Sequence, residues 1–274
     1  MTEEAVQTRL VERQVVCLRE EEAHRRDDVL TVEEPLEIRI GDEPIAVVMR
    51  TPQDDFDLAA GFLFTEGVAR HRGDIDAISY CPGAQPPNQQ NVVEVRLAAS
   101  AAFDRDRLKR NFYASSSCGI CGKASIDAVR CQGAPLTGDF QVRPQVLYQL
   151  DEHLRAAQAV FARTGSLHAA ALFDVEGRLL VLREDVGRHN AVDKVVGSFV
   201  RRQQPVPQPA VLMVSGRTSF EIIQKAYIAG ICVVAAVSAP SSLAVDLAEQ
   251  VGMTLIGFLR GRGCNIYTGA QRVA

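Results

Sequence analysis

The sequence predicts a mixed α/β protein: a three-layer α/β domain over residues 136–274, preceded by a smaller β-rich domain over residues 1–135. Three observations carry this. Beyond residue 205, unbroken apolar runs at 210–214, 231–237 and 254–259 alternate with helical stretches of about 10–12 residues, the pattern of strands covered on both faces. Between residues 35 and 100 the apolar residues recur instead with period two, as in half-buried sheet. The loop-like run Gly133-Ala134-Pro135-Leu136-Thr137-Gly138-Asp139 separates the two patterns and sets the boundary within residues 131–143.

Residues 1–30 are charged and weakly patterned, with Glu20-Glu21-Glu22 and Arg25-Arg26-Asp27-Asp28, and support one strand at 15–18. Leu36-Glu37-Ile38-Arg39-Ile40 alternates, Gly41-Asp42 turns, and Ile45-Ala46-Val47-Val48-Met49 completes a hairpin. Thr51-Pro52-Gln53-Asp54 reads as an N-cap, a proline at the first helical position and an acidic first turn. The helix it opens carries Phe56, Leu58, Ala59, Phe62 and Leu63 and stops at Gly67. Cys81-Pro82-Gly83 and Pro86-Pro87-Asn88 mark a surface loop before a strand at 92–97. Residues 144–163 align Val146, Leu147, Leu150, Leu154, Ala157 and Phe161 on one helical face. A second hairpin, 167–174 with 179–182, folds around Val175-Glu176-Gly177, and a helix over 190–202 ends before Pro205. Strands at 210–214, 231–237 and 254–259 then alternate with helices at 218–229 and 241–251.

An apolar fraction of 47% and a charged fraction of 23% are ordinary for a globular chain. The net charge of −4 argues against general nucleic-acid binding, while leaving room for a local basic pocket. No apolar run approaches the roughly 20 residues that span a bilayer. The polar N-terminus carries no signal-peptide segment, so a cytoplasmic location is expected.

Of seven cysteines only Cys118 and Cys121 are closely paired, inside Ser115-Ser116-Ser117-Cys118-Gly119-Ile120-Cys121-Gly122-Lys123-Ala124-Ser125. The small residues leave both sulfurs accessible. Lys123 and the start of a helix over 124–130 both favour a thiolate. A C-x-x-C pair has several readings. Zinc needs a second ligand pair, which the dispersed histidines and the single Cys81 and Cys131 do not supply, so no metal site is expected. A dithiol redox site belongs just after a strand in a short redox domain, and incidental thiols do not call for such a loop. Nucleophilic or sulfur-carrying chemistry is favoured over these readings without removing them, with Cys118 the expected attacking group and Cys121 available to resolve or share the sulfur.

Three further stretches carry candidate ligand contacts. Arg183-Glu184-Asp185-Val186-Gly187-Arg188-His189-Asn190-Ala191-Val192-Asp193-Lys194 sits where a hairpin meets a helix start, a place that favours anions, although a solvated helix start would look similar. Ser215-Gly216-Arg217-Thr218 follows a strand at the end where open α/β sheets bind ligands. Phe258-Leu259-Arg260-Gly261-Arg262-Gly263 leaves the last expected strand with two arginines set among glycines, suited to an anion. His168, alone on an apolar run, reads as a hydrogen-bonded core histidine.

The cysteine loop resembles the signature loop of the formate dehydrogenase accessory sulfurtransferase family, FdhD. So do Glu34-Pro35-Leu36-Glu37-Ile38, the run from Asp57 to Gly67, the run from Glu184 to Lys194, Ser215-Gly216-Arg217 and Gly257-Phe258-Leu259-Arg260-Gly261. The resemblance implies a sulfurtransferase enzyme. Cys118 would take sulfur as a persulfide from a cysteine desulfurase and pass it to the molybdenum or tungsten bis(guanine dinucleotide) cofactor, for formate dehydrogenase. It implies that Phe258, Leu259, Arg260, Gly261, Arg262 and Gly263 bind that molybdenum bis(molybdopterin guanine dinucleotide) cofactor. It also implies a cytidine-deaminase-like fold for the larger domain. The deaminase zinc signature itself is absent, because His168-Ala169-Ala170 lacks the glutamate. A homodimer would suit a ligand with two guanine dinucleotide arms. The competing expectations are a cofactor-binding chaperone without sulfur chemistry and a zinc hydrolase on the deaminase scaffold.

Overall fold

The computed structural model describes residues 3–101 and 135–274. The Cys118–Cys121 loop and the helix expected over 124–130 lie outside the described residues.

After a short helix α1 (Glu3–Gln7), β1 (Leu10–Arg19) and β2 (Glu22–Thr31) form a separate two-stranded sheet. Only one strand, at 15–18, was expected there. The charge-rich stretch at 20–28 hides the second, and its turn is made by Glu20 and Glu21 in left-handed conformations rather than by glycine or asparagine. The hairpin expected at 36–49 is β3 (Glu34–Ile40) with β4 (Glu43–Arg50). These join β5 (Ile75–Tyr80) and β6 (Val92–Leu97) in the order β4-β3-β6-β5, with β3 and β6 parallel.

Helix α2 (Asp55–Thr65) starts later than the Thr51-Pro52 signal suggests. Gln53 and Asp54 are left-handed, Arg9 bonds the Asp54 carboxylate at 2.7 Å, and Thr51 serves a tertiary contact instead of a cap. The single helix expected over 144–163 is broken into α3 (Pro144–Ala157) and α4 (Phe161–Thr164). The buried Glu184 carboxylate accepts the N–H groups of Val160 and Phe161 at 3.0 and 2.8 Å, which satisfies the donors freed by the break.

The remaining elements are β7 (His168–Asp174), β8 (Leu179–Asp185), α5 (Arg188–Val200), β9 (Ala210–Val214), α6 (Phe220–Ile228), β10 (Val233–Ala236), α7 (Ser242–Gln250), β11 (Thr254–Arg260) and β12 (Gly263–Thr268). They build a six-stranded sheet in the order β12-β11-β10-β9-β7-β8. Strand alternation sorts its core. Ala170, Leu172, Leu212, Val214, Val234 and Leu255 join the cluster that holds α5, α6 and α7. Ala169, Ala171, Phe173, Val211, Met213 and Val233 join α3 on the other face. Strand β12 was not anticipated. The basic segment after β11 is the turn of a closing hairpin rather than an open loop, with Arg260 paired to Gly263 across Gly261 at φ 53°.

The smaller sheet shares the first of these cores: Leu36, Ile38, Val93 and Val95, with Leu58 and Leu63 of α2, pack in the same cluster as Val192 and Val196 of α5. The approach of α2 to α5 rests on two glycines. A Cβ on Gly197 would stand 2.6 Å from the Gly61 nitrogen, and a Cβ on Gly61 would stand 2.6 Å from the Asp193 carbonyl carbon. Charge reinforces the seam, where Asp57 accepts from Arg201 at 2.7 Å and Arg183 at 2.8 Å.

Candidate functional site

Strands β8, β9, β10 and β11 run in the same direction, and β7 runs against them. The residues that leave the first four therefore lie along one edge of the sheet, with His168 at the start of β7 among them. Ligands of open α/β sheets bind beyond this edge, where backbone groups are no longer spent on the ladder. The segments are tied to one another. Ala169 donates its N–H to Ser215 Oγ at 2.9 Å, Thr218 donates to the Ala239 carbonyl at 3.2 Å, and Phe258 to that of Ser238 at 3.2 Å.

The edge is electropositive. His168 is half-buried, and its pKa is lowered, first by burial, then by the guanidinium of Arg188, against the opposing pull of Asp185, and by Arg217. The imidazole is thus held neutral. Among the described residues neither Arg188 nor Arg217 is in an ion pair, because the nearby Asp185 carboxylate is already bound to Lys194 at 2.7 Å. Among the described residues, buried Arg188 Nε and Thr218 Oγ1 have no hydrogen-bond partner. Unspent donors around two uncompensated guanidiniums form a site that favours an anion. Beside it, against α3, lies a cleft of about 370 Å³ lined by Leu154, Gln158, Phe161, His168, Ser215 and Val237, among others. Gln158 is only 3% exposed, and its Nε2 finds no partner among the described residues either.

Phe258, Leu259, Arg260, Gly261, Arg262 and Gly263 lie at the same edge, from the end of β11 through the turn to the start of β12. Phe258 has φ 52° and is 47% exposed, and Arg262 is exposed. Leu259 is fully buried in the α3-side core, so it offers a ligand only main chain. Arg260 donates Nε to the Val237 carbonyl at 3.1 Å, which leans its guanidinium toward the β10 end. Cys118 and Cys121 lie outside the described residues, and no distance connects them to this edge.

The polar stretch 183–194 divides between site and scaffold. Arg188 belongs to the site, and His189 is bonded to Ser219 at 3.2 Å. The rest holds the two sheets together. Lys194 Nζ also donates to the Thr51 carbonyl at 2.8 Å, Asp185 accepts the Thr51 N–H, and Asn190 donates to the Met49 carbonyl at 2.7 Å. Asp193 and Glu66 flank Lys225 at 3.0 and 2.9 Å. Burial pulls the Lys225 pKa down, but the two carboxylates outweigh it and hold the ammonium charged. Lys225 and Gln158 carried no recognisable signal in the sequence, whereas Thr218 lay in the stretch after β9 that did. The first two look like ordinary helix residues until folding brings their partners or their cavity.

The expected histidine role also changes. Rather than sitting hydrogen-bonded in the core, His168 lines the cleft, because it is the first residue of its strand and faces the edge. Among the described residues there is no group of three or more His, Cys, Asp or Glu side chains that could hold a metal ion. No helix among them is long and apolar enough to cross a membrane.

The fold and this edge define a mixed α/β protein with an anion-receptive site at the carboxyl ends of its strands. Residues 31–274 match the model of the FdhD/NarQ family, and the chain belongs to that family. It is 54% identical over 267 residues to the protein named Sulfur carrier protein FdhD of Streptomyces coelicolor, covering 96% of this chain and 95% of the relative. The protein of the same name from Mycobacterium tuberculosis is 50% identical over 268 residues, covering 95% and 97%. The crystal structure of a protein from Desulfotalea psychrophila, described as a formate dehydrogenase accessory protein, superposes with a TM-score of 0.76 at 25% identity, covering 97% of this chain and 99% of that one.

Proposed function

We propose that this protein is a sulfurtransferase of the persulfide-relay type that serves the maturation of a formate dehydrogenase in the cytoplasm. The observation that carries the reading is the near-full-length identity, above 50%, to proteins named as sulfur carriers. The sequence supplies a C-x-x-C pair, Cys118 and Cys121, set among small residues, with which to carry sulfur. Cys118 as thiolate attacks the terminal sulfur of a cysteine desulfurase persulfide. The S–S bond of the donor breaks, the desulfurase leaves as a thiolate, and Cys118 holds the sulfur as its own persulfide.

The acceptor in this reading is the molybdenum bis(molybdopterin guanine dinucleotide) cofactor, a cargo rather than a resident group. The residues at the sheet edge fit a ligand with phosphate arms: Arg188 and Arg217 lack carboxylate partners among the described residues, and Arg188 Nε and Thr218 Oγ1 are unsatisfied. The turn from Phe258 to Gly263 would add main-chain contacts and the Arg262 side chain. The same reading takes the helix–sheet–helix arrangement as the cytidine-deaminase-like layering that the family resemblance implies.

The test is intact-mass measurement after incubation with a cysteine desulfurase and cysteine. The wild-type chain gains one sulfur atom, and Cys118→Ala does not. Gain of sulfur by Cys118→Ala but not by Cys121→Ala would move the carrier to Cys121. A Cys118→Ala protein that still activates the dehydrogenase would instead make this a cofactor chaperone without sulfur chemistry.

A further inference from the structure

One wall of the cleft has little structure of its own. Gln158, Phe161, Ser166 and Leu167 line it between the end of α3 and the start of β7, where the only regular element is α4, a single turn. A lone helical turn is not stable by itself, because its nucleation cost is not recovered over so few residues. The position of the wall is therefore set by what packs behind it.

The base of the β1–β2 arm packs there. Val6 and Leu10 form a small core with Val160 and Leu167. Thr31 is bonded to Thr164 at 3.0 Å and to Ser166 at 2.7 Å. Val32 donates its N–H to the Arg9 carbonyl at 2.8 Å, which closes the arm where its two ends meet the body. Farther out, Val16 is 65% exposed and Leu18 71%, so the base is the part that engages.

Arg9 is the charged member of this contact and is almost wholly buried. Its Nη2 donates to the Asp54 carboxylate at 2.7 Å and to Gln53 Oε1 at 3.4 Å, and Gln53 Nε2 donates to Thr8 Oγ1. Gln53 and Asp54 have φ of 74° and 55°, a left-handed pair that residues with a Cβ keep only where their surroundings enforce it. Arg9 also acts on Glu184, whose carboxylate accepts the N–H groups of Val160 and Phe161 in the wall. Burial pushes the Glu184 pKa up, while those two N–H groups and the Arg9 charge pull against it.

We propose that the base of the arm is a strap for the cleft, and that Arg9 is a positioning residue for the ligand site, acting through Glu184 and the 158–168 wall without lining the cleft itself. Loss of the guanidinium frees the left-handed turn and takes from Glu184 the cation that faces it. The carboxylate then holds Val160 and Phe161 less firmly, and Gln158 and Phe161 leave the positions in which they line the cleft. The effect on a ligand rests on the reading of the edge and cleft as the place of the cofactor's phosphate arms.

The test combines amide hydrogen exchange over residues 158–168 with affinity for guanosine diphosphate, which stands for one arm of the proposed cofactor without its pterin. In Arg9→Met, exchange across 158–168 quickens about tenfold while α5 keeps its wild-type protection, and affinity falls about fivefold or more. Thr31→Val, which removes the bonds to Thr164 and Ser166 at nearly constant volume, does the same in smaller measure. Arg9→Lys keeps the charge and recovers most of the affinity. Val16→Ser/Leu18→Ser, on the exposed half of the arm, changes neither quantity. Wild-type exchange over 158–168 in Arg9→Met, wild-type affinity despite quickened exchange, or no recovery by Arg9→Lys overturns the proposal. A wild-type protein that binds no guanosine diphosphate overturns the phosphate-arm reading instead, and exchange alone then decides whether the arm is a strap.

Discussion

Replacing Gly197 by alanine tests the contact on which the joining of the two sheets depends. The new Cβ would lie 2.6 Å from the Gly61 nitrogen and 2.7 Å from the Asp57 carbonyl carbon, against an ordinary contact of 3.4 Å or more. Both obstacles are backbone, so no rotamer change relieves them, and α2 and α5 must part by about 1 Å. Overpacking of a well-filled interior costs about 1–3 kcal/mol, and this case belongs at the upper end. Parting the helices also stretches the Asp57 bonds to Arg201 and Arg183. Alanine returns about 1 kcal/mol as the better helix former. The net loss is about 2 kcal/mol or more, a fall in Tm of roughly 4–8 °C for a chain of this size. Urea unfolding followed by far-UV dichroism measures it. Gly73→Ala, with nothing within 4 Å of its Cβ, is the control. If Gly197→Ala unfolds at the wild-type midpoint while Gly73→Ala does too, close helix approach is not what joins the sheets.

Two further predictions concern buried charge. Lys194→Met leaves the fully buried Asp185 carboxylate without its 2.7 Å partner. Breaking such a pair from one side costs about 3–5 kcal/mol, visible as a large drop in Tm, and a loss under about 1 kcal/mol would mean that water reaches Asp185. His189 has its pKa lowered to about 4, by burial first and then by Lys225 and Arg188, which outweigh Glu221. As pH falls below 6.5 the unfolded chain takes up a proton that the folded protein refuses until about pH 4. Stability present above 6.5 is therefore lost across that window, by up to about 3 kcal/mol. The quantity to measure is the difference in unfolding free energy between wild type and His189→Gln against pH. Asp193, raised by burial, titrates in both proteins and drops out. A difference that stays flat from pH 7 to 4 would show that His189 is solvated in the folded state.

What the chain determined by itself is what depends on neighbours in sequence. Period-two alternation located β3, β4 and β6, and apolar runs located β9, β10 and β11, because strand burial is written every second residue. Three basic or polar stretches were recognised from local composition alone, and all three reach the same sheet edge. The charge-rich β2 escaped notice because its ladder is solvated on both faces and so carries no hydrophobic period. The helix break at Gln158 escaped because its capping acceptor, Glu184, lies more than twenty residues away in sequence.

Only the tertiary structure decided how the polar stretch 183–194 is used. Asp185, Asn190, Asp193 and Lys194 are spent on holding the two sheets together, while Arg188 is left for the site. Nothing in a run of charged residues distinguishes these fates, since an ion pair in the core and an open anion site call for the same side chains. The difference lies in which partner folding brings within 3 Å: a carboxylate for Lys194 and Lys225, and none among the described residues for Arg188 and Arg217. Strand direction did the rest. By running β8 to β11 the same way, it gathered segments scattered between residues 168 and 263 onto one edge, with His168 among them.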